Sequence, residues 1–314
     1  MHKIRKWMER AGWGAWHLEK ASEDASFRRY FRLSKGGRTA ILMDASLEKG
    51  ALKPFLDVTA RLRKAGVNAP ELLEEDTEQG YLILEDFGSL HYLDLLNGEN
   101  FEELYRKAIE TIVRMQRSDP SGLPLYDRAF LRFEMELMEE WFLRRYLKLE
   151  LSAAEEALID RTLEAIADAV LEQPQGLFVH RDYHSRNMLL TPDGKLGVID
   201  YQDAMSGAVT YDLVSLLKDC YIRFEREEIE KLALMFRDLR GLEADDATFL
   251  RWFDMMGLQR HLKVLGIFAR LWLRDAKPGY LKDLPLTLRY AVEAAERYEE
   301  TAELAALLKK VRLP

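Results

Sequence analysis

Three polar side chains in residues 176–203 follow short apolar segments and have the types and spacing that phosphoryl transfer requires. Asp182 ends the triplet His-Arg-Asp, Asn187 comes five residues later, and Asp200 follows the apolar run 196–199. Transfer of phosphate from ATP needs a carboxylate that accepts the proton of the attacking hydroxyl, and oxygen ligands for the Mg²⁺ that neutralises the phosphates. We therefore predict that Asp182 is the catalytic base and that Asn187 and Asp200 bind the metal.

A β-hairpin is predicted to fix the spacing of the last two of these residues. Pro192-Asp193-Gly194 is a strong turn signal, and it lies between the apolar stretches 188–190 and 196–199. The order His-Arg-Asp, four residues, Asn agrees with the catalytic loop of protein kinases, although Tyr-Gln replaces Phe-Gly after Asp200. The alternative is a hairpin with incidental polar ends, and the three matched positions argue against it.

Composition indicates an ordinary globular protein, and length sets a prior of about two domains. The 314 residues are 48% hydrophobic and 32% charged, and the formal net charge of −8 argues against a general nucleic-acid-binding surface. The single cysteine, Cys220, excludes an intramolecular disulfide and is expected to be a buried thiol. Residues 1–7 lack the apolar core of a signal peptide, and no run of about 18 apolar residues occurs, so we expect a cytoplasmic protein without a membrane segment.

The apolar pattern predicts two structural regions. Strands are expected at 27–33, 39–43, 71–75 and 81–85, with a helix at 51–65. After residue 100, most apolar residues recur with the three-and-four spacing of helices. The expected fold class is α+β, bilobal and protein-kinase-like, with an antiparallel β-sheet N-lobe at 1–88 and a larger, mainly helical C-lobe at 89–314.

The phosphate-binding elements depart from the protein-kinase pattern. There is no G-x-G-x-x-G loop, and Met43 stands where the strand lysine is expected. Arg28 and Arg29 are the available cations, and backbone amides near Ser26 are further donors. Alternatively, these arginines line the solvent face of an edge strand, or the missing lysine marks a nucleotide-binding protein without catalysis. The complete Asp-Asn-Asp set argues against the second alternative.

The motif His-Arg-Asp-Tyr-His-Ser-Arg-Asn at 180–187, with Ile199-Asp200, resembles the aminoglycoside phosphotransferase and choline kinase superfamily. This resemblance implies a kinase of small molecules that uses ATP and Mg²⁺. The segment 84–88, Leu-Glu-Asp-Phe-Gly, resembles the hinge of that superfamily. The residues expected at the nucleotide are therefore Ser26, Phe27, Arg28, Arg29, Glu85 and Phe87.

Segments 26–32, 41–45, 198–204 and 258–268 are similar to the anomeric N-acetylmuramate/N-acetylglucosamine kinases of cell-wall recycling. The resemblance covers nearly the whole chain. It implies transfer of the γ-phosphate to the anomeric hydroxyl of an amino sugar, which gives a sugar 1-phosphate in peptidoglycan recycling. An anomeric hydroxyl is more acidic than an ordinary alcohol, so a carboxylate that orients it and accepts the proton late suffices.

Three residues are predicted to contact this substrate. Asp203 follows Asp200 by three residues, and a carboxylate is a good ligand for sugar hydroxyls. His184 occupies the position of a histidine usual in the superfamily, and it either contacts the sugar or holds the catalytic loop. Arg260 lies with His261 and Lys263 in a helix whose other faces are apolar, where an unpaired charge is costly. It either binds the lactyl carboxylate of N-acetylmuramate or is solvated or salt-bridged. Three tryptophans are expected in the core: Trp141, Trp252 and Trp272.

Other functions remain open at this point. An aminoglycoside or choline-type acceptor would require an acidic site, which the Glu-rich segment 133–140 could supply. A non-catalytic pseudokinase is suggested by the absent strand lysine. A protein kinase is disfavoured because no Ala-Pro-Glu segment follows Asp200. We expect a monomeric sugar kinase whose partner is a small-molecule sugar, with neither nucleic acid nor membrane as a partner.

Overall fold

The computed structural model describes residues 1–23 and 28–314. The nucleotide contacts predicted at Ser26 and Phe27 lie outside the described residues. The chain divides into two compact units, Met1–Asp94 with Arg186–Asp203 and Leu95–Ser185 with Ala204–Pro314. The N-lobe at 1–88 and the C-lobe at 89–314 stay a prediction.

An antiparallel five-stranded sheet is the centre of the first unit. The apolar pattern predicts four of its strands but not the first, β1. Its strands follow the order β1-β2-β3-β5-β4. Their bounds are β1 His17–Glu23, β2 Arg29–Lys35, β3 Arg38–Asp44, β4 Leu72–Asp76 and β5 Tyr81–Glu85. Gly36 and Gly37 connect β2 to β3 with φ of 57° and 78°, and two residues at positive φ suit a tight hairpin turn.

The first unit also contains helices, and the first of them packs on the sheet. They are α1 His2–Arg10 and α2 Leu52–Lys64, the latter preceded by a 3₁₀ turn at Lys49–Ala51, and a short helix, α3 Tyr92–Leu95, ends this part of the chain. From α1, Ile4, Trp7 and Met8 are buried in one cluster with Phe31 and Leu33 of β2. Burial of each such side chain stabilises the fold by about 1.5–3 kcal/mol, which explains why the amphipathic α1 stays on the sheet.

The hairpin predicted at 188–199 is present in the first unit. Its strands are β7 Met188–Leu190 and β8 Leu196–Val198, paired in antiparallel register. Gly194 has φ of 79°, and its N–H donates to the carbonyl of Thr191 at 2.8 Å to close the turn. The amide of Val198 donates to the carbonyl of Asn68 at 2.9 Å, which fixes the hairpin to the rest of the unit.

The second unit is mainly helical. Its helices are α4 Phe101–Met115, α5 Arg128–Leu137, a π-helix Met138–Tyr146, α6 Ala153–Glu172, α7 Tyr211–Leu217, α8 Arg226–Arg240, α9 Asp246–Leu273, a 3₁₀ helix Pro278–Asp283, α10 Leu284–Ala295 and α11 Glu299–Lys309. A two-stranded pair, β6 Leu177–Val179 and β9 Met205–Gly207, precedes and follows the hairpin in sequence. Within the described ranges, no helix is long and apolar enough to span a membrane.

Helix α9 is the core of the second unit. Its 28 residues pack against α5, α6, α7, α10 and the π-helix, and nearly every residue between 253 and 266 is buried. From the apolar pattern we expect single helices at 130–149, 211–224 and 284–313. Instead, a π-helix continues α5, α7 ends at Leu217, and residues 296–298 separate α10 from α11. Periodicity does not show these ends, because apolar residues continue through each of them. The core position expected for Trp272 is wrong, since the side chain near the end of α9 is 38% exposed.

Gly266 of α9 lies against the main chain at the end of α5. A Cβ placed there would lie 2.3 Å from the carbonyl carbon of Leu137. Gly257 in the same helix has more room, since its nearest neighbour would be Cδ of Lys218 at 3.4 Å. Only a residue without a side chain therefore allows the two helices to approach this closely at Leu137.

We expect Gly266→Ala to lower the free energy of unfolding by about 1–3 kcal/mol, because α9 must move away from the Leu137 carbonyl. The matched control is Gly257→Ala, which gains helix propensity of about 0.5–1 kcal/mol and meets no backbone atom. Urea unfolding followed by circular dichroism measures both. Equal effects of the two substitutions would contradict the close approach.

Candidate active site

The catalytic loop begins where β6 ends, and the first turn of α7 holds its main chain. The carboxylate of Asp212 accepts from the amide of His180 at 2.8 Å and from the amide of Arg181 at 3.0 Å. Arg181 has φ of 77°, in the left-handed region that residues other than glycine rarely adopt. Ser215 also donates to the carbonyl of Arg181 at 3.3 Å. These bonds hold the turn that presents Asp182.

A second buried carboxylate anchors the loop beyond Asp182. Asp219 accepts from the amide of Ser185 at 2.9 Å and also from its hydroxyl. The hydroxyl of Tyr183 donates to the carbonyl of Ala108 at 3.1 Å. Sequence reasoning missed the anchoring roles of Asp212 and Asp219. The available signal was two carboxylates within the apolar stretch 208–220, where burial without partners would be costly.

Asp182 is held in its ionised form by a group of cations. Burial by itself raises the pKa of this carboxyl, but Lys263, His184, Arg260 and Arg181 together lower it to about 2. Two of these cations, Arg260 and Lys263, come from α9, three residues apart on one face of the helix. Asp182 therefore carries a negative charge at neutral pH.

His184 is neutral at pH 7. Burial lowers its pKa to about 4, although Asp219 and Asp182 oppose this effect. Its ring meets that of Tyr221 edge to face, with 5.2 Å between centroids, and its amide donates to the carbonyl of Asp182 at 3.0 Å. The imidazolium form of His184 lowers the pKa of Asp182, but this form is present only at acidic pH, near and below the pKa of His184. Whether His184 contacts a substrate stays a prediction.

Arg260 is a buried guanidinium that forms no ion pair with a carboxylate in the described part of the chain. Burial lowers its pKa, but Cys220, Tyr211, Asp182 and Asp219 together raise it above the ordinary value. The side chain is 4% exposed, and its Nη1 donates only weakly to Sγ of Cys220 at 3.6 Å. Its Nε has no hydrogen-bond partner. Among the described residues, no carboxylate forms an ion pair with Arg260, so the salt bridge considered from the sequence is not formed. Cys220 is a buried thiol, as expected.

The hairpin of the first unit brings Asn187 and Asp200 together. The amide Nδ2 of Asn187 donates to Asp200 at 3.2 Å, and the amide of Ile199 donates to the carbonyl of Asn187 at 3.1 Å. Gln202 donates to the other Asp200 oxygen at 2.8 Å. Asp200 has φ of 64°, in the left-handed region that residues other than glycine rarely adopt.

The donor set of Asn187 and Asp200 fits Mg²⁺. This ion takes hard oxygen ligands and is usually bound by one or two carboxylates together with substrate phosphates. Within the ranges the structure describes, no group of three or more His, Cys, Asp or Glu side chains could hold a metal. One carboxylate and one amide supply few ligands, so the remaining ligands would come from the nucleotide phosphates and water. Their role as ligands stays a prediction.

The arginines of the first unit have protein partners. Arg29, predicted at the phosphates, forms an ion pair with the buried Asp44, which also accepts from the amide of Ser46 at 3.0 Å. Arg28 is buried at the start of β2. Met43 is fully buried in β3, so no cation occupies the position of a strand lysine. Contacts of Arg28 and Arg29 with a nucleotide stay a prediction.

The segment after β5 is held by a bidentate ion pair. Arg32 donates to the two oxygens of Asp86 at 2.7 and 3.0 Å and to the carbonyl of Gly88 at 3.0 Å. Glu85 ends β5, and its carboxylate accepts from the amide of Glu71 at 3.2 Å.

Phe87 is buried against the hairpin. A Cβ placed at Gly197 would lie 2.4 Å from its ring, so this glycine makes room for the aromatic side chain. Asp203 is exposed, with a weak contact of 3.5 Å from Gln202. The nucleotide role of Glu85 and Phe87 and the sugar role of Asp203 stay predictions.

Comparison with known proteins identifies the family. Residues 17–253 match the phosphotransferase enzyme family. The chain belongs to this family. This phosphotransferase is 42% identical to an N-acetylmuramate/N-acetylglucosamine kinase of Pseudomonas aeruginosa, over 95% of the chain and 90% of the relative. It is 39% identical to the kinase of the same name from Neisseria meningitidis serogroup B, over 93% of the chain and 89% of the relative.

Solved structures share the fold of the phosphotransferase. An ADP-bound aminoglycoside phosphotransferase has a TM-score of 0.65 at 15% identity, covering 94% of this chain and 99% of that one. A choline/ethanolamine kinase family protein from Mesorhizobium loti has a TM-score of 0.64 at 15% identity, covering 99% of both chains. The predicted bilobal α+β kinase-like fold is therefore confirmed.

Asp212 gives the phosphotransferase a pH-dependent stability. Burial raises its pKa to about 6, although the charge of His180 and the two main-chain amides oppose this effect. Between the ordinary Asp value of 3.8 and this raised pKa, the folded protein binds more protons than the unfolded chain. The stability contribution of Asp212 therefore falls as pH rises through this window.

Relative to wild type, the Asp212→Asn variant should gain stability by up to about 3 kcal/mol when pH rises from 4 to 7, because only the wild-type side chain becomes charged. Urea unfolding of both proteins at several pH values measures this difference, in which the other titrating groups cancel. A difference independent of pH, or one with the opposite slope, would show that Asp212 does not titrate in this range.

Proposed function

We propose that this phosphotransferase transfers the γ-phosphate of ATP to the anomeric hydroxyl of an N-acetyl amino sugar. Its substrates would be N-acetylmuramate, which carries a carboxylate, and N-acetylglucosamine. The names of its relatives support the substrate class. The observation that carries the proposal is Arg260, a buried cation that influences Asp182 and forms no ion pair with a carboxylate among the described residues.

Asp182 is suited to orient a hydroxyl rather than to remove its proton early. A carboxylate with a pKa near 2 is a weak base at neutral pH. Phosphoryl transfer passes through a largely dissociative transition state in most analyses, so the attacking hydroxyl needs its proton removed only late. Asp182 can therefore accept a hydrogen bond from the hydroxyl, hold it in line, and take the proton as the new P–O bond forms.

Asn187 and Asp200 would hold Mg²⁺ through their oxygens. The bound ion would supply charge neutralisation for the phosphates of ATP. In this role Asn187 would present its amide oxygen, the atom opposite the nitrogen that now donates to Asp200. Gln202 would keep one oxygen of Asp200 oriented.

Arg260 would bind the lactyl carboxylate of N-acetylmuramate. A guanidinium presents paired donors that match the two oxygens of a carboxylate. A charge that is desolvated in the folded protein gains most from a ligand that arrives with the opposite charge. N-acetylglucosamine lacks the lactyl group, so Arg260 would distinguish the two sugars.

A cationic acceptor, such as an aminoglycoside or choline, is less well supported. The Glu-rich segment that could have received it has its carboxylates paired with the protein's own cations. The pairs are Glu134 with Arg181 and Lys263, Glu136 with Arg132, Glu139 with Arg144, and Glu140 with Arg145. An acceptor amine would have to displace these partners.

Catalysis should be detected as ADP release from Mg-ATP in the presence of N-acetylmuramate or N-acetylglucosamine, and not with glucose, kanamycin or choline. Asp182→Ala should lower kcat by about 10²–10⁴-fold, since the group that orients the hydroxyl and accepts its proton is removed. NMR of the product should show phosphate on the anomeric carbon. Turnover on kanamycin or choline instead would replace the proposed substrate. ATP binding without turnover on any acceptor would favour the pseudokinase.

Arg260→Gln should lower kcat/KM for N-acetylmuramate about 10- to 100-fold more than for N-acetylglucosamine, because a charge-assisted hydrogen bond is lost for one sugar only. Arg251→Gln is the matched control. Arg251 lies in α9 as well, but it pairs with Glu172 and Glu300. Equal losses for both sugars would mean that Arg260 acts on Asp182 or on folding and not on the lactyl group.

A further inference from the structure

Glu134 is a buried carboxylate in α5 that makes four contacts with cations and polar groups. It is 3% exposed. One oxygen accepts from Arg181 and from Lys263, the latter at 3.2 Å. The other oxygen accepts from the hydroxyl of Tyr126 and from Gln259 at 3.4 Å. Despite burial, which raises the pKa of Glu134, the two cations lower it, so this side chain is ionised.

Both cations held by Glu134 belong to the surroundings of Asp182. Arg181 precedes it in the chain and carries the left-handed turn of the loop. Of the neighbouring cations, Lys263 lowers the pKa of Asp182 the most. Its ammonium also donates to the hydroxyl of Tyr211 at 3.0 Å. The guanidinium of Arg181 lies 5.4 Å from the centre of the Phe130 ring, which is in the same helix as Glu134. Thus α5 contacts the loop through a charge and an aromatic face.

We propose that Glu134 is a positioning residue for phosphoryl transfer, which holds the Arg181 side chain and the Lys263 ammonium in place beside Asp182. The proposal rests on the proposed function for its catalytic consequence. Glu134 touches neither a substrate nor a reacting atom in this role. It acts through the Arg181 side chain and adds to the main-chain bonds by which Asp212 and Ser215 hold the turn at this residue.

The competing explanation is a purely structural one. Lys263 is buried, and a buried ammonium without a partner is costly wherever it lies. On that explanation Glu134 only neutralises Lys263, and removing both charges together would restore stability and the exchange protection of the catalytic loop alike. A positioning role predicts that the double substitution restores stability but not the protection of the loop amides, since Arg181 has still lost its partner.

The test compares Glu134→Gln, Glu134→Gln/Lys263→Met and the control Glu136→Gln with the wild type. Glu136 lies two residues away in α5, and its exposed carboxylate pairs with Arg132. Three quantities are measured: the melting temperature, kcat and KM with Mg-ATP and N-acetyl sugars, and hydrogen exchange of a peptide covering residues 178–186. The exchange measurement requires no substrate.

We expect Glu134→Gln to lower kcat on the order of 10- to 100-fold with little change in either KM, because a displaced catalytic loop costs rate more than ground-state binding. Exchange in 178–186 should become faster than in the wild type and in Glu136→Gln. The double variant should regain the melting temperature of the wild type while exchange in 178–186 stays fast.

Two results would overturn the proposal. One is wild-type exchange in 178–186 and wild-type kcat in Glu134→Gln, and the other is recovery of both the exchange protection of 178–186 and the melting temperature in the double variant. If the wild type itself turns over no N-acetyl sugar, the proposed function fails. The exchange of 178–186 then decides the positioning role by itself.

Discussion

Buried charge is the constraint on which the second unit depends. Helix α9 carries Asp254, Arg260 and Lys263 in a stretch where nearly every side chain is inaccessible to water. Charges in such places persist only when other charges or hydrogen bonds compensate them. Asp254 is matched by Lys218 and Arg226, and Lys263 by Glu134. Among the described residues of this helix, Arg260 is the buried cation left without a carboxylate in an ion pair, and the proposed function therefore assigns the substrate carboxylate to it.

The same constraint explains how the catalytic loop keeps a conformation that its residues do not favour. The loop itself contributes only a short segment, and Arg181 adopts a positive φ in it. Asp212 and Asp219, from α7 and the residues after it, accept the loop amides on either side of Asp182. Each carboxylate accepts hydrogen bonds from main-chain N–H groups that water does not reach. Removing one of the two carboxylates would leave these buried donors unsatisfied. The rigidity of Asp182 is therefore supplied by neighbouring elements.

The fold and the identity of the central residues could be predicted because their signals are local. Alternation of apolar residues indicated the sheet, and Pro192-Asp193-Gly194 indicated the hairpin that places Asn187 next to Asp200. The expectation for Trp272 failed because helical periodicity does not show where a helix leaves the core. The solvent-face alternative for Arg29 gave no sign of its carboxylate partner, Asp44, which lies 15 residues away in sequence.

The sequence by itself determined the order and spacing of Asp182, Asn187 and Asp200, the type of most helices and strands, and the family. These depend on neighbours within a few positions, where spacing and side-chain type are sufficient. Only the tertiary structure decided which charges surround Asp182 and which of them have partners. Glu134 meets Arg181 across 47 residues, and Asp212 reaches the amide of His180 across 32. Such pairs leave no local pattern, because it is the packing of α5, α7 and α9 that brings them together and the low polarity of that core that makes each pairing matter.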